Sequence, residues 1–195
     1  MKKLGLAVLA VVFMAGSIFA EGSEMKIKIG LDTPGTVSAS NVDLDTETGI
    51  GIALEFLFPV SKIVKFGPAI GYSFAREIKL TDFQKAVGIT KETLSFVPIY
   101  ATAEINPIKS LPEIFFKGNF GFNFGTLSID QTLPFFGNVS GSTTKFGMYY
   151  GLGAGYNFPF GLFLDVLYSW NNMSEDGGTL TYSKFSISAG YRFDI

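Results

Sequence analysis

From Met25 to Ile195 the chain alternates. In eight separate runs one parity of residues is apolar and the other is small or polar. Period-two patterning puts the two sets on opposite faces of an extended strand. The last run shows it plainly: Ile187, Ala189, Tyr191, Phe193 and Ile195 against Ser186, Ser188, Gly190, Arg192 and Asp194. The first sets Met25, Ile27, Ile29 and Leu31 against Lys26, Lys28 and Gly30. The second sets Ile50, Ile52, Leu54, Phe56 and Phe58 against Gly49, Gly51, Ala53 and Glu55, and the third Val64, Phe66, Ile70, Tyr72 and Phe74 against Lys65, Gly67, Ala69, Gly71 and Ser73. The fifth carries Ile114, Phe116, Phe120, Phe122 and Phe124, the sixth Phe146 through Phe158, and the seventh Leu162, Leu164, Val166, Tyr168 and Trp170 on its apolar side. Only the fourth breaks the pattern. Ile99, Ala101, Ala103 and Ile105 share one parity, Leu94 and Phe96 the other, and Pro98 stands between them, where a bulge would reset the phase.

The connections alternate too. After the second, fourth and sixth runs they are short and contain proline: Pro59, the stretch from Pro107 to Pro112, and Pro159. After the first, third, fifth and seventh they are long and polar, as in "DTPGTVSASNVDLDTE" and "IDQTLPFFGNVSGSTT". An even number of antiparallel strands with short turns at one end and long loops at the other is the layout of a transmembrane β-barrel.

Composition agrees. Charged residues make up only 16% of the chain, while aromatics reach 15% with 21 Phe and 8 Tyr, against about 25% charge in a soluble domain. That hydrophobicity is spread through the alternation rather than gathered into helical spans. In hydrocarbon every backbone N–H and C=O must bond within the protein, so a sheet there must close on itself. The expected fold is therefore all-β: an eight-stranded antiparallel up-and-down transmembrane barrel with the Phe, Ile and Leu face on lipid. Tyr72, Tyr150, Tyr156, Tyr168, Trp170 and Tyr191 fall mostly near run ends, at headgroup level.

The one continuous apolar stretch is "MKKLGLAVLAVVFMAGSIFA". Lys2 and Lys3, an apolar core and small residues up to Ala20 read as a cleaved signal peptide over 1–20, leaving a barrel domain over 21–195. Without Lys2 and Lys3 the remainder carries 13 basic against 17 acidic residues. No nucleic-acid footprint follows from that balance. The chain has no cysteine and no histidine, which removes disulfides, Ser-His and Cys-His nucleophile systems and most zinc sites. No enzyme activity and no cofactor is expected. Asp43, Asp45 and Glu47 are acidic neighbours in the first long loop but lack the glycine and spacing of a calcium loop.

Ser188, Gly190, Phe193 and Ile195 form a polar-x-Gly-x-x-apolar-x-apolar ending. With the eight runs, this ending resembles that of the small OmpA/OmpX/OmpW-type outer-membrane barrels. The resemblance implies a bacterial outer-membrane location, outer-membrane lipid as the surroundings, and the barrel assembly machinery as the partner that reads the last strand during insertion. Members usually end in Phe or Trp, and Ile195 departs from that.

By parity the inward charges are Lys26, Lys28, Glu55, Lys65, Glu104, Lys117, Lys145, Asp165 and Arg192. Both signs occur, and a lone buried charge costs several kcal/mol, so an ion-pair network containing Glu55, Lys117, Asp165 and Arg192 is expected in the lumen. Phe135 and Phe136 in the third long loop are expected to be exposed aromatics. Leu80, Phe83 and Val87 are at helical spacing and predict a short cap helix. Three functional readings follow: a structural or surface-interaction barrel acting through its four long loops, a narrow pore for small or apolar solutes, and a secreted lipocalin-like binder.

Overall fold

The computed structural model describes residues 21–39, 42–108, 110–133, 137–175 and 178–195. The segment 1–20 and Phe135 and Phe136 lie outside the described residues. Ten strands form in chain order: β1 (Glu24–Asp32), β2 (Thr36–Ala39), β3 (Val42–Asp45), β4 (Gly49–Pro59), β5 (Val64–Glu77), β6 (Ile89–Ile105), β7 (Ile114–Leu133), β8 (Gly137–Asn157), β9 (Leu162–Glu175) and β10 (Gly178–Asp194). Eight of them, β1 and β4 to β10, pair antiparallel with their neighbours, and β1 pairs with β10 to close the barrel. The short β2 and β3 form a hairpin that extends the wall from Thr181–Ser183 of β10.

The stagger is readable residue by residue. From Lys26 the register runs across the barrel through Glu55, Ala69, Tyr100, Gly121, Tyr149 and Asn171 to Tyr182. The residue of β10 that pairs with Lys26 is Arg192, so one circuit climbs ten residues. Eight strands with such a tilt leave an interior that side chains can fill.

Parity then sorts the side chains. Ile29, Leu31, Phe120, Leu152 and Ile187 are among the most exposed residues, while Lys26, Glu55, Glu104 and Lys117 are buried. Apolar outside and charged inside is the arrangement a lipid solvent demands. Rings gather at both ends of the apolar band. Tyr168 packs edge-on against Trp170 at 4.5 Å and meets Phe185 at 4.6 Å toward the long-loop end. Tyr156 with Phe158, and Tyr191 with Phe193, do the same at the short-turn end. One short turn there depends on Gly161, which sits at φ 91°, a conformation other residues rarely adopt.

Above the apolar band the pattern inverts. Val37, Ile78, Leu94, Phe96, Met173, Leu180 and Tyr182 form a buried cluster inside the barrel. This corrects the expectation for the fourth run. β6 buries its even-numbered residues from Glu92 to Glu104 without a break, and no phase reset occurs at Pro98. Leu94 and Phe96 point inward because that part of the wall stands in water, where an apolar interior is favoured. The bulge lies instead in β5, between Ser73 and Arg76.

The short helix also differs from its expected role. α1 (Asp82–Ala86) forms with a Thr81–Gln84 capping box, but it buries no residue, and Phe83 is 76% exposed. Its tie to the barrel wall includes the Gln84 amide, which donates to Glu92 of β6 at 3.0 Å.

The absence of cysteine makes single-cysteine labelling clean. Spin labels at Phe120, Leu152 and Ile187 should collide more with oxygen than with a water-soluble nickel chelate. Labels at Lys117 and Ser169 should be shielded from oxygen in the lipid. Reversal of that order would overturn the face assignment.

Candidate functional site

The lumen holds three tiers of charge. At the short-turn rim, Glu24 pairs with Lys65 and lies 3.6 Å from Arg192, which in turn is 3.8 Å from Asp194. The middle tier is the densest. Lys117 Nζ lies 2.7 Å from Glu55, 3.1 Å from Glu104 and 3.3 Å from Asp165. Lys28 bridges Glu55 at 3.0 Å and Asp165 at 2.9 Å, and Lys26 donates to Glu104 at 2.6 Å and to Asn157 at 3.3 Å. The Tyr100 hydroxyl donates to Glu55 at 3.1 Å. Three lysines thus face three carboxylates, and the tier is formally neutral. The third tier lies near the outer end of the apolar band. Asp32 accepts from Arg76 at 2.6 Å, from Ser186 at 2.6 Å and from Lys184, while Arg76 also donates to the Tyr182 hydroxyl at 2.8 Å.

The strands place these groups by simple repetition. On β1, Glu24, Lys26, Lys28 and Asp32 share one face, so one strand feeds all three tiers. Lys28 and Lys117 have room because a neighbour across the ladder is small, whereas Lys26 lies between the longer Glu55 and Arg192. Lys28 pairs with Gly190 and Ala53, and Lys117 with Gly153.

Below the middle tier the lumen turns apolar. Phe115 and Phe163 are buried, and Lys26 Nζ sits 4.3 Å and 4.9 Å from their ring centroids, close enough for attraction to the ring faces. Each ring covers a glycine on its paired strand. A Cβ on Gly155 would come within 2.3 Å of the Phe115 ring, and one on Gly190 within 2.5 Å of the Phe163 ring. Leu57 completes this floor.

Of the residues expected in one network, Glu55, Lys117 and Asp165 come together directly, whereas Arg192 stays at the rim with Glu24 and Asp194, one tier away. The tilt explains the separation, since parity fixes a face but not a height. Lys145 lies higher on β8 and is half-buried. Ser188 faces the lumen, Gly190 lies under Phe163, and Phe193 and Ile195 are exposed at the short-turn end. Asp43, Asp45 and Glu47 are exposed, and no group of side chains suited to a metal ion occurs among the described residues.

The sequence matches the family described as "Outer membrane protein beta-barrel domain" over residues 5–193. The chain belongs to that family. It is an outer-membrane β-barrel protein. Solved structures agree on the fold. Ail of Yersinia pestis, in complex with the heparin analogue sucrose octasulfate, is 20% identical with a TM-score of 0.61, covering 89% of this chain and 100% of that one. A major outer membrane protein of Thermus thermophilus is 13% identical with a TM-score of 0.61, over 89% and 100%. Neisserial surface protein A is 15% identical with a TM-score of 0.58, over 90% and 100%. No curated protein matches the sequence.

Sequence reasoning missed the third tier. Asp32 and Lys184 each lie just past the ends of the clear alternating runs, on the inward parity of their strands. Arg76 was hidden by the bulge, which moves the inward set of β5 from odd to even numbers. Phe115 and Phe163 were legible from parity, but apolar residues on the polar side read as noise.

Removing one partner of the middle tier strands the others. Lys117→Met should cost about 3–5 kcal/mol in urea unfolding from micelles. Adding Glu55→Gln should recover a clear part of that loss, and a purely additive double mutant would contradict the coupling.

A different group governs the outer mouth. Glu92 is buried above the membrane band, and burial raises its carboxyl above the usual range, with the Gln84 amide holding it partly back. A raised carboxyl stabilises the fold while protonated, and that contribution disappears as pH rises through its folded pKa. Hydrogen exchange around Glu92 should therefore quicken with pH beyond the intrinsic rate change. Glu92→Gln should abolish that excess.

Proposed function

We propose that this chain is a structural and surface-interaction barrel whose lumen is a fixed plug and whose working surface is its external extension. One observation carries the reading: the lumen is packed at both ends while the wall continues outward. The floor is Phe115, Phe163 and Leu57, and the outer end is filled by Leu94, Phe96, Met173 and Tyr182. Beyond them β7 and β8 continue as a paired ribbon, from Thr126 opposite Thr144 to Leu133 opposite Gly137. From Asn138 to Thr144 the ribbon's β8 residues are all exposed, and Ser, Thr, Asn and Gly predominate. Such a surface offers hydrogen bonds and shape rather than catalytic groups. The reading excludes enzyme activity, in line with the missing histidine and cysteine.

The external partner is best sought among neutral or basic molecules. The acids Asp43, Asp45, Glu47, Glu77, Asp82 and Asp130, exposed or half-buried, outnumber the bases Lys79, Lys85, Lys91 and Lys145 there. That balance opposes a polysulfated ligand of the kind seen with Ail. Outer-membrane lipid surrounds the Phe-rich face. Residues 1–20 act as the export signal, and Ser188, Gly190, Phe193 and Ile195 on the last strand are read by the barrel assembly machinery. Mass spectrometry of the mature chain should find Glu21 at its start.

Planar-bilayer recording tests the plug. The purified barrel should give no steady, reproducible open level, and such a level would favour the pore reading instead. Replacing residues 128–142 by an Asn-Gly turn should preserve the heat-dependent gel shift of a folded barrel and abolish surface binding by whole cells.

A further inference from the structure

The tiers differ in net charge. In the third, Arg76 and Lys184 face a single carboxylate, Asp32, and all three are buried. Asp32 is fully committed: one oxygen accepts from Ser186 and the other from both Arg76 and Lys184. One positive charge is left without an acidic partner among the described residues. An uncompensated charge held out of bulk water is strongly unfavourable.

A cavity of about 60 Å³ adjoins this tier and reaches down to the middle one, with Lys184 and Lys28 both in its lining. Asp32 is its only carboxylate, and Ser169 and Asn171 also line it. Ser169 is 1% exposed and Asn171 2%, and neither the Ser169 hydroxyl oxygen nor the Asn171 Nδ2 has a protein partner. The cavity therefore combines excess positive charge with unanswered donors. Its volume exceeds what one water needs and excludes a sugar or an organic phosphate.

We propose that this cavity binds a small monovalent inorganic anion of halide size, which neutralises the tier of Arg76, Lys184 and Asp32. Water alone can answer the donors but not the charge. Bound there, the anion ties β1, β5, β9 and β10 together at the point where the barrel leaves the membrane. The site is thus a structural ion site, separate from any loop-mediated binding.

Urea unfolding of the full mature chain in micelles tests this, with sodium bromide against sodium gluconate at equal ionic strength. Bromide should raise the midpoint saturably, and gluconate should not. Crystals grown in bromide should show an anomalous peak between Lys184 Nζ and Asn171 Nδ2. Gly51→Val fills the cavity while leaving Arg76, Lys184 and Asp32 themselves in place. The nearest atoms to an added Cβ are Tyr72 O at 3.4 Å, Ser73 Oγ at 3.7 Å and Asp32 Oδ2 at 3.9 Å, all ordinary contacts. This variant should keep the gel shift of a folded barrel and lose the bromide dependence. Lys184→Met removes the excess charge and should lose it as well. Should Gly51→Val fail to fold, Asn171→Leu gives the same readout. Equal midpoints in bromide and gluconate, or a bromide effect unchanged in both Gly51→Val and Lys184→Met, would overturn the site.

Discussion

The seam between β1 and β10 is the contact on which everything else depends. Nine residue pairs, from Glu24 with Asp194 to Asp32 with Ser186, join the first strand to the last. Without them both strands would present unpaired backbone groups to hydrocarbon, at several kcal/mol for each group. Closure is thus a requirement set by the solvent. It has a direct consequence for the chain's end: Ser186 to Tyr191 is paired on both sides, by β9 and by β1, and β1 alone carries the pairing on to Asp194, where a terminal segment would ordinarily fray.

Closure also creates an interior with no access to the usual source of stability. Lipid-facing Phe and Leu gain little by packing against one another when the surroundings are equally apolar. Specific contacts must come from inside, and the inside is built of lysines and carboxylates at 2.6 to 3.3 Å. Higher up, where water replaces lipid, the same strands switch to Leu94, Phe96 and Met173 inside. One continuous wall therefore carries two opposite solutions to burial. The boundary between them is marked by Arg76, whose guanidinium lies 5.4 Å from the Tyr182 ring while its Nη2 holds Asp32.

The sequence carried the eight barrel strands, the lipid face and the closed architecture, because period two is imposed by backbone geometry and survives averaging over many residues, but not the β2–β3 hairpin, which is too short to show a period. Glu55, Lys117 and Asp165 were legible together for the same reason. Height was not legible. Arg192 shares their face but stays at the rim, since the ten-residue climb of the register depends on pairings that no single strand encodes. Nor was Arg76, because one extra residue in β5 inverts the parity beyond it. Leu94 and Phe96 looked like a phase error because the reading assumed one solvent along the whole strand. Phe83 of α1 and Val87 just past its end have the spacing of a buried stripe, but a five-residue helix that buries nothing leaves both exposed.

A charged lumen looks wasteful beside an apolar one, since well-packed hydrophobic groups often match buried ion pairs in stability. The register supplies the reason to keep it. Were both faces apolar, a strand could slide by one residue and lose nothing. Here a one-residue slip of β1 or β7 would carry Lys26, Lys28 or Lys117 to the lipid face, at about 2–4 kcal/mol for each lysine at the bilayer midplane. The same slip would strand Glu55, Glu104 and Asp165 without their cations. The alternation that lets the chain cross a membrane as strands is thus also what fixes which residues face which across every seam, and through that the composition of each tier.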